Sequence, residues 1–200
     1  MRRTLGVLSA LSLLVPASAG AQVAWDVPSL LRPGAPSGLS VLLLDPDAGS
    51  DLGVAATWRG SSAPLGLGFR GGLANGPNRD LSALFGVDVS GSLATSSSSG
   101  EPSVMWWSGA GVGVGHDARI SIPAGLVLGW QAPAEGASFS PYVGAHVALD
   151  ILTAGNGEMR LDGAVDLGLD VTFDSGWVLR FGAAVGGRNA LAVGLRLPGT

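Results

Sequence analysis

From about residue 37 to residue 197, apolar side chains recur at every second position, in runs separated by turn residues. A period of two is the signature of strands that bury or expose one face at a time. The first run, residues 37–44, alternates least, because Val41 to Leu44 is apolar throughout. Residues 51–59 follow the turn sequence Asp-Pro-Asp-Ala-Gly-Ser, and residues 65–69 alternate leucine or phenylalanine with glycine. Phe85, Val87, Val89 and Leu93 oppose Gly86, Asp88, Ser90 and Ser92. Trp106, Ala110, Val112 and Val114 oppose Gly109, Gly111, Gly113 and Gly115. Ile120, Ile122, Leu126, Leu128 and Trp130 form the next row. Val143, Ala145, Val147, Leu149 and Ile151 then oppose Tyr142, Gly144, His146 and Asp150. Met159 to Phe173, Trp177 to Val185 and Leu191 to Leu197 complete the series. The pattern predicts ten strands, or eight if the first and one other run fail. Many span roughly 10–13 residues, longer than the ~5–6 of ordinary sheets and near the ~9–11 that cross a bilayer.

What precedes this series is different. Met1-Arg2-Arg3, the apolar run 5–15, Pro16 and the small residues Ala19-Gly20-Ala21 have the layout of a secretory leader, which assigns residues 1–21 to a cleaved signal peptide. Residues 22–36 contain Pro and Gly without periodicity and read as an extended lead-in; residues 37–200 form the barrel domain. The serines at 96–99 make a low-complexity loop.

Alternation alone does not say which face is inside, and composition decides. Hydrophobic residues are 46% and charged residues 13% of the chain, against roughly 25% charged in a typical soluble domain. All 11 basic residues are Arg, and 12 of the 15 acids are Asp. A water-facing surface is usually built from Lys and Glu. Here the polar face is Gly, Ala, Ser, Asp and Arg, which suits a crowded interior. The apolar rows are therefore expected outside and the small and charged residues in the lumen, the arrangement of a membrane barrel rather than a soluble one. Val143, Val147, Leu167, Leu169, Leu179, Phe181, Val193 and Leu195 should point outward. Trp58, Trp106, Trp130, Phe139, Phe173 and Trp177 fall at strand ends on one rim, as an interfacial aromatic girdle would. The net charge of −4, or −6 without Arg2 and Arg3, argues against nucleic acid as a partner.

The candidate lumen charges are Arg59, Arg70, Asp88, Asp150, Arg160, Asp162, Asp166, Asp170, Arg180 and Arg196, with His146 expected near Asp150. Five Arg against five Asp fits an interior of ion pairs. If Phe173 and Trp177 oppose each other across the turn Asp174-Ser175-Gly176, Asp170 lies opposite Arg180, and Arg196 on the next strand shares the acid. No metal site is expected: Asp162, Asp166 and Asp170 spread over roughly 25 Å of strand. Gly66-x-Gly68-x-x-Gly71 matches a dinucleotide fingerprint by count alone, since no helix follows. The two histidines, in His116-Asp117 and at 146, have no serine at a recognisable spacing and no nucleophile elbow, so neither an enzyme nor a cofactor is expected.

Ser140-Pro-Tyr-Val-Gly-Ala145, the glycine-alternating run 109–115, and the final hairpin from Gly176-Trp-Val-Leu-Arg-Phe-Gly182 to Ala192-Val-Gly-Leu-Arg196 resemble the small bacterial outer-membrane β-barrel proteins of the OmpA/OmpX type. The resemblance implies an all-β, closed antiparallel up-and-down transmembrane barrel in a Gram-negative outer membrane. Its implied partners are outer-membrane lipid and, during biogenesis, the barrel-assembly machinery. The function expected is structural or envelope-stabilising. The alternatives are a narrow channel or carrier for small molecules and a soluble periplasmic lipocalin-like binding barrel.

Overall fold

The computed structural model describes residues 25–46, 52–60, 65–75, 81–96, 100–115, 118–153 and 157–198. The leader expected at 1–21, His116-Asp117, and parts of the turn at 45–50 and of the serine-rich loop lie outside the described residues.

The strands are β1 Gly38–Asp45, β2 Gly53–Arg59, β3 Gly66–Asn75, β4 Leu81–Ala94, β5 Ser103–Val114, β6 Ala118–Gly129, β7 Ala132–Ala134, β8 Ala137–Leu152, β9 Met159–Phe173, β10 Val178–Gly186 and β11 Ala190–Arg196. From β1 to β6 and from β8 to β11 each strand pairs antiparallel with the next, and β1 pairs with β11, from Ser40↔Arg196 to Asp45↔Leu191, so the wall closes. β6 pairs directly with β8, while the three-residue β7 pairs only with the start of β8. The fold is a closed antiparallel barrel of ten wall strands plus one short extra strand. β3 runs on to Asn75 and β8 begins at Ala137, both beyond the bounds that alternation suggests. Glycine at 71 and 72 and proline at 141 obscure the period there without breaking the ladder.

The near rim is defined as the one where β1 starts and β11 ends; the far rim carries Asp45 and Ala190. At the near rim, β9 and β10 are joined by Asp174-Ser175-Gly176. Gly176 sits at φ +85°, in the left-handed region, and its N–H donates to the Phe173 carbonyl at 2.9 Å. This tight turn fixes the register, with Asp170 directly opposite Arg180.

The apolar rows face out. Leu161 is 70% exposed and Val147 52%; Leu167, Phe181 and Val193 are also exposed, and Val143, Leu169, Leu179 and Leu195 are half-exposed. Among the described strand residues, every charged side chain except Asp45 at the end of β1 lies on the inner face. The wall has one interruption. Pro123 in β6 has no N–H to give β5, and the β5–β6 ladder skips from Ser108↔Ala124 to Gly111↔Ser121. The Ser108 hydroxyl donates to the Pro123 carbonyl at 3.0 Å and satisfies that acceptor.

Candidate functional site: the filled lumen

The interior is occupied by the chain's own lead-in. Residues 25–32 are all buried, and they run from the far rim to the near rim, where Pro33 to Ser37 lead into β1. The segment was expected to be an extended approach to the barrel; it lies inside it. The inner-face glycines make room. A Cβ on Gly109 or Gly111 would stand 2.7 Å from the Trp25 ring, and one on Gly182 would stand 2.5 Å from Leu30 Cδ2. Inner-face glycine in this barrel is therefore a mould for the lead-in as well as a means of bending the sheet.

Apolar packing seats the segment. Trp25 is 2% exposed and packs on Trp107 of β5 with ring centroids 5.0 Å apart. Trp107 in turn lies 5.6 Å from the His146 ring. Val27, Leu30 and Leu31 join Leu42, Leu44, Leu84, Val127 and Tyr142 in a buried apolar cluster. This explains why β1 reads poorly: its inner residues Leu42 and Leu44 face an apolar lead-in, so both faces are hydrophobic. Leu30 sits at φ +52°, a conformation that costs a non-glycine residue roughly 1–2 kcal/mol. Its neighbours impose that geometry. Arg180 Nη2 donates to the Leu30 carbonyl at 2.5 Å, and its side chain lies over Gly182.

Charges hold both ends. At the far rim, Asp150 is fully buried and accepts from Arg119 Nη2 and Arg188 Nη2, each at 2.5 Å. The same two arginines reach Asp26 of the lead-in at 3.2 and 3.4 Å. At the near rim, Asp170 is 1% exposed and accepts from Arg180 Nε at 3.1 Å and from Arg32 Nε at 2.7 Å. Between them, Arg70 stacks on Trp25, with its guanidinium carbon 3.8 Å from the ring centroid. Arg70 Nη2 also donates to the Ser29 carbonyl at 2.9 Å, and Arg188 Nη1 to the Trp25 carbonyl at 2.8 Å. Arg59 pairs with Asp88 and donates to Ser90 Oγ at 3.0 Å. Beside Ser29 to Leu31 and these charges, about 20 Å³ of free space remains, room for roughly one water.

All the lumen residues expected from the sequence lie on the inner face, but two pairings differ. Arg196 does not share Asp170. It opposes Val178, two residues nearer the rim than Arg180, and donates to the Ser37 carbonyl at 2.9 and 2.6 Å and to the Gly176 carbonyl at 3.3 Å. Arg32 takes its place. His146 does not pair with Asp150; its Nδ1 lies 3.1 Å from Asp166 Oδ2 on the adjacent strand, because Gly144 opposes Asp166 and His146 opposes Ala164. Arg160 pairs locally with Asp162 at 3.0 Å. Sequence reasoning missed Asp26, Arg32, Arg119, Arg188 and Trp107. Arg119 alternates with Ile120 and Ile122 and was legible as an inner-face residue. Arg188 sits in the β10–β11 turn and gave no periodic signal.

The six aromatics Trp58, Trp106, Trp130, Phe139, Phe173 and Trp177 stand outside the wall at the near rim, exposed or half-exposed, with Trp58 and Phe69 rings 5.8 Å apart. A broad apolar recess of about 710 Å³ opens on the same outer wall, floored by Ala56, Gly71 and Ala110. Outward side chains such as Phe69, Phe85 and Val112 line it, and the inner-face positions Arg70, Gly86 and Gly111 also border it.

Replacing Gly111 with valine is expected to cost about 1–3 kcal/mol, because the new side chain meets Trp25. Combined with Trp25→Ala, the two losses should be less than additive in denaturant unfolding. Full additivity would show that Trp25 does not rest on Gly111.

No protein-family model, curated protein or solved structure matches this chain.

Proposed function

We propose that the chain is an outer-membrane β-barrel, delivered by a cleaved leader and filled by its own lead-in, whose role is structural or envelope-stabilising. The observation that carries this reading is the sorting of side chains across the wall: large apolar residues outside on all ten strands, charged ones within. A soluble domain would leave that outer face as one continuous apolar surface, far beyond the few hundred Å² that soluble monomers expose. The longer strands have suitable dimensions. β1, β2, β10 and β11 have 7 to 9 residues, whereas β5 and β6 have 12 each. At ~3.3 Å per residue and a tilt of ~40°, such strands rise roughly 30 Å, enough for the ~25 Å apolar band of an outer membrane. The aromatics at the near rim suit an interface between lipid and water. The occupied interior disfavours a lipocalin-like binding barrel, which needs an open apolar cavity inside.

The purified mature chain should refold into phospholipid vesicles and float with them in a density gradient. Val147 then supplies a sharper test, since it is outward and mid-strand. Val147→Arg should cost about 2–4 kcal/mol in vesicles, the price of Arg near a bilayer midplane. In a soluble barrel an exposed substitution of this kind stays within about 0.5 kcal/mol. A chain that stays at the bottom of the gradient, and that tolerates Val147→Arg, is not a membrane barrel.

A further inference from the structure

The geometry points to a second role for the filled lumen: residues 25–36 are a tethered plug, and the interior they occupy is a passage for small inorganic anions. This rests on the membrane-barrel reading above.

The pattern of ion pairs separates plug from wall. Asp26 leans on Arg119 and Arg188, yet both of those keep Asp150 when Asp26 is withdrawn. Arg32 leans on Asp170, which keeps Arg180. The ion pairs between lead-in and wall can therefore break while Arg119, Arg188 and Arg180 each keep a wall carboxylate, which avoids the unpaired buried charge that makes most buried pairs hard to open; Arg70 gives up the Ser29 carbonyl and the Trp25 ring. The connection to the wall is placed for such a movement. Residues 33–37 join the plug to β1 at the near rim, and Gly34 there has φ +66° with open space around its Cβ position.

The same contacts identify what an emptied lumen would hold. Arg70, Arg180 and Arg188 each donate to a lead-in carbonyl, those of Ser29, Leu30 and Trp25. Carbonyl oxygens are the partial negative charges of the plug, and guanidinium groups that cradle them are anion-binding donors once the plug leaves. Among the described residues the inner wall carries seven arginines against five aspartates. A surplus of two positive charges in a narrow, low-dielectric corridor selects anions. The buried hydroxyls of Ser140 and Tyr142 on β8 have no partner among the described residues and add polar contacts to one side of that corridor.

The test is single-channel recording in planar bilayers under a potassium chloride gradient. The full chain should be closed. The variant D26N/R32Q loses the plug's two charges, leaves every wall pair intact, and should open about tenfold more often or beyond. Its reversal potential should lie toward the chloride equilibrium potential. The chain contains no cysteine, so a disulfide lock is simple to install. A Cβ on Gly182 would be 3.0 Å from Pro28 Cβ, a little under the ~3.5–4.5 Å a disulfide spans, and would push Leu30 Cδ2 aside, a shift that the reduced form of the same variant controls for. Adding P28C/G182C to D26N/R32Q should silence the channel when oxidised and restore it on reduction. Vesicle flotation of each variant separates the two hypotheses. Variants that float but never conduct, that conduct cations, or that ignore the lock overturn the plug and passage while leaving the membrane barrel standing. A full chain that fails to float overturns both.

Discussion

Replacing Asp170 with leucine is expected to destabilise the barrel by about 3–5 kcal/mol, because it strips the partner from two buried guanidinium groups at once. The carboxylate is 1% exposed and takes one arginine on each oxygen, Arg180 on Oδ1 and Arg32 on Oδ2. Both guanidinium groups are themselves largely buried, so water is poorly placed to replace the carboxylate. The loss should appear as a lower midpoint in urea unfolding, with little change in slope if the native surface is unaltered. Two comparisons fix the cause. Arg32→Met leaves Asp170 with Arg180, so it should cost clearly less. Leu179→Ala, on the outer face of the strand that carries Arg180, should also cost less, since Leu179 is only half buried. If Asp170→Leu changes stability by less than Leu179→Ala, the near-rim ion pairs do not hold the barrel together.

Trp25→Ala should be of similar size, about 3–5 kcal/mol, the usual loss for truncating a fully buried tryptophan. The ring contacts Trp107, lies under the Arg70 guanidinium, and fills the space over Gly109 and Gly111. The ladder that closes the wall, β1 on β11, does not involve residue 25. The variant should therefore keep its strand content by far-ultraviolet circular dichroism while its lead-in becomes sensitive to added protease. That combination distinguishes loosening of a plug from collapse of the wall. Loss of strand content together with the lead-in would mean that the segment is part of the barrel's folding core and cannot leave it alone.

How much of this was legible in the amino-acid order varies with how local the cause is. The alternation from 37 to 197 determined the strands, and with them the two faces of the wall, because each successive Cβ points to the opposite side. The turn Asp174-Ser175-Gly176 determined the register of β9 on β10, since a three-residue connection leaves the flanking aromatics little choice but to face each other. From that register the Asp170–Arg180 pair followed without any tertiary information. Lys-free, Asp-rich polar positions likewise located the charges indoors, because such a face makes a poor water-facing surface. The destination of residues 25–36 had no such signal. A segment with prolines and no period can lie along a barrel, leave it, or thread it, and only the volume left by Gly109 and Gly111 on β5 and Gly182 on β10 selects the last. The same holds for the partners of the inner charges. Arg32 reaches Asp170 across 138 positions, and Arg188 reaches Asp150 across 38, from a turn. Those pairings depend on which side chains the closed wall brings to one height, and height around a barrel is set by the accumulated stagger of all its strands.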